Sequence, residues 1–202
     1  MHNLDPKPPA ACARIRAALA ARGREPDVAP RLGEMIRVLA ASKASGTFLS
    51  LGEGAGEVGA WILDGMDLSS GLVALVQDRE EASVLEEELG QDLRVSVHRQ
   101  DAEAFLVDVR AHRFDLIVDR IAGEHSGILR LGLAQLRSAG LYVACDLHDP
   151  LHTAFAPNAK PSHPQAPPLR PEEFAVAPLD DARGVSIIVR RALPPAKRRR
   201  RA

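Results

Sequence analysis

The stretch that most restricts what this chain can become is Thr47 to Gly59, Thr-Phe-Leu-Ser-Leu-Gly-Glu-Gly-Ala-Gly-Glu-Val-Gly, an apolar run that breaks into alternating glycines at Gly52, Gly54 and Gly56. Apolar residues then recur at helical spacing at Val58, Trp61, Ile62 and Met66, so the segment reads as strand, tight turn and helix. Glycine accepts positive φ, and without a Cβ it lets backbone come close to a ligand at the start of the helix. The turn outlines a small-molecule or nucleotide site; the alternative is a helix-entry turn that binds nothing.

From Thr47 onward strand-like and helix-like segments alternate, the mark of a parallel sheet covered on both faces. Short apolar runs at Phe48 to Leu51, Leu72 to Val76, Leu93 to Val97, Phe114 to Val118 and Leu141 to Cys145 read as strands. Helical patterns fall between them at about 57–66, 79–89, 102–111 and 124–137. Two helices precede the first strand: Ala10 to Arg22, closed by Gly23, and a second carrying Leu32, Met35, Ile36, Leu39 and Ala40 to about Ser45. They are expected to cap the sheet or to form part of a dimer face.

The ending differs. His148 to Pro171 holds seven of the fifteen prolines and reads as a long loop, placed after the fifth strand where ligands of open α/β sheets bind. Phe174 to Leu179 and Val185 to Arg190, joined by Asp-Asp-Ala-Arg-Gly, read as a hairpin. The expected organisation is a loose N-terminus over 1–9, one domain over 10–192 and a basic tail over 193–202.

With 202 residues the chain can bury a core without staples, and its two cysteines, Cys12 and Cys145, fit a reduced, cytoplasmic protein. No apolar run approaches the about 18 residues of a membrane span. The net charge of −1 hides an asymmetry, because Lys197 to Arg201 are five consecutive basic residues on an acidic body. The tail reads as a solubilising end or as a weak contact for nucleic acid or an acidic partner. Aromatic residues are only 3% of the chain, and no basic-aromatic alternation supports a nucleic-acid enzyme.

Two ligand readings compete for the glycines. Gly54, Gly56 and Gly59, with Asp78 nineteen residues on, can be written as a dinucleotide fingerprint for NAD. Against it, the strand runs straight into Gly52 and the closing hairpin is foreign to the simple dinucleotide fold. In order and spacing, from about Arg14 to Arg191, the chain resembles the S-adenosylmethionine-dependent methyltransferases of the seven-stranded kind, and among them the O-methyltransferases of the catechol and caffeoyl-CoA type. The resemblance rests on Gly52-Glu-Gly-Ala-Gly56, Phe114-Asp-Leu-Ile-Val-Asp119, Arg137-Ser-Ala-Gly-Leu-Tyr-Val-Ala-Cys-Asp146 and the final hairpin.

The resemblance implies an α/β fold: a Rossmann-like seven-stranded sheet, mostly parallel with a C-terminal antiparallel hairpin, with helices on both faces. It implies that Gly52, Glu53, Gly54 and Gly56 form the methyl-donor loop. Ser50 takes the place of an acid near the donor's ammonium, and Gln77 that of the ribose-gripping acid, with Asp78 as substitute. Asp101 and Ala102 border the adenine. A divalent metal would be held by Asp119 and Asp146, but Leu147 replaces the third ligand, Asn, and Ala122 the base lysine. His148, Asp149 and His152 are the nearby replacements as ligands, either His148 or His152 could instead serve as general base, and His125 is a second base candidate; the alternative is that they are solvated loop residues. Trp61 and Cys145 are expected in the core, and the acids from Glu80 to Glu88 on a solvated helix face.

The function expected is therefore methylation of a small hydroxylated acceptor by a homodimeric cytoplasmic enzyme using S-adenosylmethionine. A methyltransferase-like binding or assembly module without catalysis is the alternative, and an NAD-dependent oxidoreductase a third.

Overall fold

A computed structural model describes residues 7–24, 28–121, 126–145, 170–179 and 184–192. The elements run α1 (Ala10–Ala20), α2 (Pro30–Ala41), β1 (Thr47–Gly52), α3 (Ala55–Gly65), β2 (Gly71–Val76), α4 (Arg79–Glu88), β3 (Val95–Arg99), α5 (Ala102–Asp108), β4 (Phe114–Arg120), α6 (Ser126–Ala134), β5 (Leu136–Ala144), β6 (Phe174–Leu179) and β7 (Val185–Arg190). The strands form one seven-stranded sheet in the order β3-β2-β1-β4-β5-β7-β6. β1 to β5 are parallel, and β7 runs against both its neighbours, β5 and β6.

Period-two alternation along each strand divides the core into two faces. Phe48, Leu72, Ala74, Leu116, Val118, Leu141 and Val143 face α1 to α4, whereas Leu49, Leu51, Leu75, Ile117, Tyr142 and Ala144 face α5 and α6. The N-terminal helices are thus part of the domain's own core: Ile15 and Leu19 of α1 and Leu32 and Ile36 of α2 are buried against α3 and α4. Trp61 is fully buried in this layer, as its spacing predicts, and lies so close to Gly33 that a Cβ there would meet the indole at 2.2 Å. Arg37 stacks over the same ring, 5.4 Å from its centroid. Cys12 and Cys145 are both buried, and burial pushes the Cys12 thiol up to about 12.

Several boundaries move from their expected places: α2 ends at Ala41, short of Ser45, and α5 at Asp108, short of 111. β3 begins at Val95, because Asp92 folds back to accept from the Arg94 amide and guanidinium, leaving Leu93 fully exposed in the turn. α6 ends at Ala134, and β5 starts early at Leu136, its register with β4 slipping between the Phe114 and Leu116 pairs. Ala139, at φ 60°, sits in that irregularity. Residues 1–6, the 148–169 part of the proline-rich loop, the hairpin turn at 180–183 and the 193–202 tail lie outside the described residues. No described helix is long and apolar enough to cross a membrane.

Candidate functional site

A parallel sheet leaves a crevice outside the carboxyl ends of its strands where the strand order reverses, and here that point lies between β1 and β4. A cleft of about 830 Å³ opens there, lined by Gly52 and Glu53 after β1, Gln77 and Asp78 after β2, Asp101 and Ala102 after β3, and Arg120 and Ile121 at the end of β4. Gly52 sits at φ 94°, and a Cβ on it would lie 2.6 Å from the Arg120 carbonyl carbon. Glycine is required at this position by both conformation and space.

The rest of the glycine turn faces inward. Gly54, at φ 72°, is the N-cap of α3. A Cβ on Gly56 would come 2.5 Å from Leu85 Cδ1, so this glycine brings α3 against α4. The Ser50 hydroxyl is fully buried and donates to the Ala55 carbonyl at 3.1 Å. Glu57 is fully buried too, and both its oxygens take the Arg16 guanidinium of α1, which also donates to the Val28 carbonyl. Ser50, Gly54 and Gly56 are not among the residues that line the cleft.

The polar groups after β2 and β3 face outward. Asp78 caps α4, accepting from the Glu81 amide at 2.8 Å, and that bond, together with the nearby Arg24, holds its carboxyl below the usual carboxylate range. Asp101 caps α5 through the Ala104 amide at 2.9 Å, and its other oxygen accepts from Gln77 Nε2 at 2.9 Å. That bond turns the Gln77 carbonyl into an oriented acceptor at the lip of the cleft.

Asp119 is 7% exposed and stands under the end of β4. One carboxylate oxygen accepts from the Ile121 amide at 2.8 Å, the other from the buried Tyr142 hydroxyl at 2.5 Å. Burial, with Asp119 beside it, pushes the Tyr142 hydroxyl well above its ordinary value and keeps it a donor. Asp146, Leu147, His148, Asp149, His152, Ala122 and His125 lie outside the described residues. Among the described residues no three metal-ligating side chains stand together. Each Asp119 oxygen accepts one hydrogen bond from a protein donor, and Asp146, the other expected ligand, lies outside the described residues.

Sequence reading missed Arg24 and Glu81, both of which line the cleft. Glu81 belongs to a run of acids on α4 and was expected on a solvated face, yet it is only 6% exposed while Glu80, Glu86 and Glu87 stay in solvent. The one available signal was its place in the first turn, beside apolar Ala82, Val84 and Leu85. Among the described residues the cleft carries five carboxylates, from Glu53, Asp78, Glu81, Asp101 and Glu103, against the guanidiniums of Arg24 and Arg120.

No family model matches the sequence, and no curated protein matches it. Solved structures do share its architecture. An O-methyltransferase from Bacillus cereus in complex with S-adenosylhomocysteine is 16% identical, with a TM-score of 0.71 over 94% of each chain. The O-methyltransferase TomG from Streptomyces achromogenes, in complex with S-adenosylmethionine, is 18% identical, with a TM-score of 0.70 over 94% of this chain and 93% of that one. The chain has the O-methyltransferase fold. The methyltransferase PaMTH1 from Podospora anserina, bound to S-adenosylhomocysteine, shows the same likeness at 17% identity and a TM-score of 0.65, over 91% of this chain and 89% of that one.

Proposed function

We propose that this chain is an S-adenosylmethionine-dependent methyltransferase acting on a hydroxyl of a small-molecule acceptor. The observation that carries the reading is the acidic cleft at the β1 switch point, entered by Gly52 at positive φ. A sulfonium donor with an ammonium group is net positive and gains from five surrounding carboxylates; the pyrophosphate of NAD is anionic and loses. Bound there, the donor supplies an electrophilic methyl carbon.

In this reading Gly52 and Glu53 border the donor, the Gln77 carbonyl accepts from a ribose hydroxyl, and Asp101 and Ala102 flank the base. Asp78 holds the start of α4, and Asp119, through Tyr142 and the Ile121 amide, fixes the strand end that carries Arg120 and Ile121. His148 takes the acceptor's proton as the oxygen-carbon bond forms and the carbon-sulfur bond breaks. Methyl transfer asks chiefly for alignment of the two reacting atoms, so no step is routed through a metal. The reading extends to a cytoplasmic homodimer, supported by two buried cysteines and by Val38 of α2, which is 61% exposed.

A second reading, a donor-binding module without catalysis, is favoured by Ala122 and Leu147 in the sequence. Titration calorimetry with S-adenosylmethionine, S-adenosylhomocysteine and NAD tests both. Micromolar binding of the adenosyl ligands without NAD binding is the expected result; a preference for NAD overturns the proposal. Donor binding with no methyl transfer to any hydroxylated acceptor favours the module.

A further inference from the structure

Negative charge entering the cleft meets an unfavourable field, because five carboxylates line it. An acceptor hydroxyl nonetheless gathers negative charge on its oxygen as it gives up its proton. Two guanidiniums line the cleft. That of Arg24 is committed to α4, with Nη1 2.8 Å from Asp78 Oδ1 and 3.8 Å from Glu81 Oε2. Arg120 stands instead at the end of β4, paired in register with Gly52, so the two residues share one face of the sheet at the point where the strand order reverses. Its backbone is tightly held. The Asp119 carboxylate accepts from the Ile121 amide at 2.8 Å and from the Tyr142 hydroxyl, and the Asp119 carbonyl accepts from the Cys145 amide at 2.8 Å. On the β1 side Gly52 packs so closely that a Cβ there would lie 2.6 Å from the Arg120 carbonyl carbon. A half-buried guanidinium on so fixed a backbone keeps its charge at any working pH and is less screened than one in open water.

Resting on the methyl-transfer reading above, we infer that Arg120 is a catalytic residue whose guanidinium stabilises the negative charge developing on the acceptor oxygen. The hydroxyl proton goes to the base, an oxygen electron pair forms the bond to the methyl carbon, and the carbon–sulfur pair returns to sulfur, which leaves as a neutral thioether. Negative charge resides on the oxygen only between loss of the proton and completion of the new bond. A cation fixed beside that oxygen therefore favours the reacting form over the neutral acceptor, which is the condition for raising the rate. The surrounding carboxylates make the contribution necessary, since without a local cation they hold the acceptor in its protonated form. The forked N–H donors of a guanidinium suit an oxyanion, and Arg120 does not itself exchange a proton.

The test uses 4-nitrophenol, a hydroxylated probe whose ionisation is read from its visible absorbance, titrated with pH in the presence of the full chain saturated with S-adenosylhomocysteine. The wild type is expected to raise the ionisation constant of the bound probe about tenfold. Arg120→Gln is expected to remove that rise, and Arg120→Lys to keep part of it because the charge remains. Affinity of both variants for S-adenosylhomocysteine, read by calorimetry, is expected to stay within about threefold of wild type. Arg120→Met supplies a second neutral variant should Arg120→Gln fail to fold. A rise that persists in the neutral variant overturns the inference and leaves the donor reading standing. So does a wild type that binds S-adenosylhomocysteine but leaves the ionisation of the probe unmoved. Failure of the wild type to bind S-adenosylhomocysteine overturns the donor reading and this inference with it.

Discussion

The two sides of the cleft are built by the same device, a strand ending in a tight turn into a helix, and they use it for opposite purposes. On the β1 side the turn closes on itself: Ser50 bonds to Ala55, Gly56 admits Leu85, and Glu57 is sunk onto Arg16. On the β2 and β3 side the corresponding residues, Gln77, Asp78 and Asp101, stand at the surface of the cleft and bond to one another or to a helix start. The difference teaches that intact glycines record packing as much as recognition. The polar groups that line the cleft come from the neighbouring strand ends and from Arg24 and Glu81.

Substitutions on the two sides should therefore separate stability from binding. Arg16→Ala strands the fully buried Glu57 carboxylate and is expected to lower stability by about 3 kcal/mol, the low end for a broken buried pair because Arg16 itself is partly in solvent. Chemical denaturation reads this directly, and a cost below about 1 kcal/mol would mean that the β1 side is not the packed wall described here. Gly56→Val drives a side chain into Leu85 and is expected to cost about 1–3 kcal/mol. Its measurement is the same denaturation, and a neutral outcome would put Gly56 back among candidate ligand contacts.

On the other side the expectation reverses. Gln77→Ala, at an exposed position, should leave stability within about 0.5 kcal/mol of wild type. Affinity for S-adenosylhomocysteine should still fall severalfold by calorimetry, through loss of the oriented carbonyl. The smallest effect concerns Glu81, whose carboxyl is raised above 4.5 by burial. As pH rises past that value the unfolded chain gives up its proton before the folded one does. Stability of the free protein should decline until the folded group ionises as well. Glu81→Gln should flatten that part of a stability-against-pH curve, and an unchanged slope would deny the burial that the wall requires.

Much of the architecture was legible in advance because period-two apolar runs and glycine punctuation report directly on burial. All seven strands lie where those runs fall, and β7 runs against its neighbours as the closing hairpin implied. The early start of β5 was hidden because Leu136 is separated from the strand's main run by Arg137-Ser-Ala-Gly, polar and turn-like residues that bulge out of the ladder. The site was less legible than the fold. Glycine spacing located the turn but could not say that Gly52 faces the cleft while Gly56 faces Leu85, since that depends on how α4 packs. Arg24 carried no local signal at all; it enters the cleft only because α1 docks against α3 and α4.

Hydrogen-exchange mass spectrometry of the full chain with and without S-adenosylhomocysteine tests the central claim most directly, because it reports where the ligand sits as well as whether it binds. The account predicts added protection around Gly52 to Gly54, Gln77 to Glu81 and Gln100 to Glu103, with the buried contact of α1 on α3 unchanged. Protection confined to other segments, or none at ligand concentrations that saturate calorimetric binding, would contradict it.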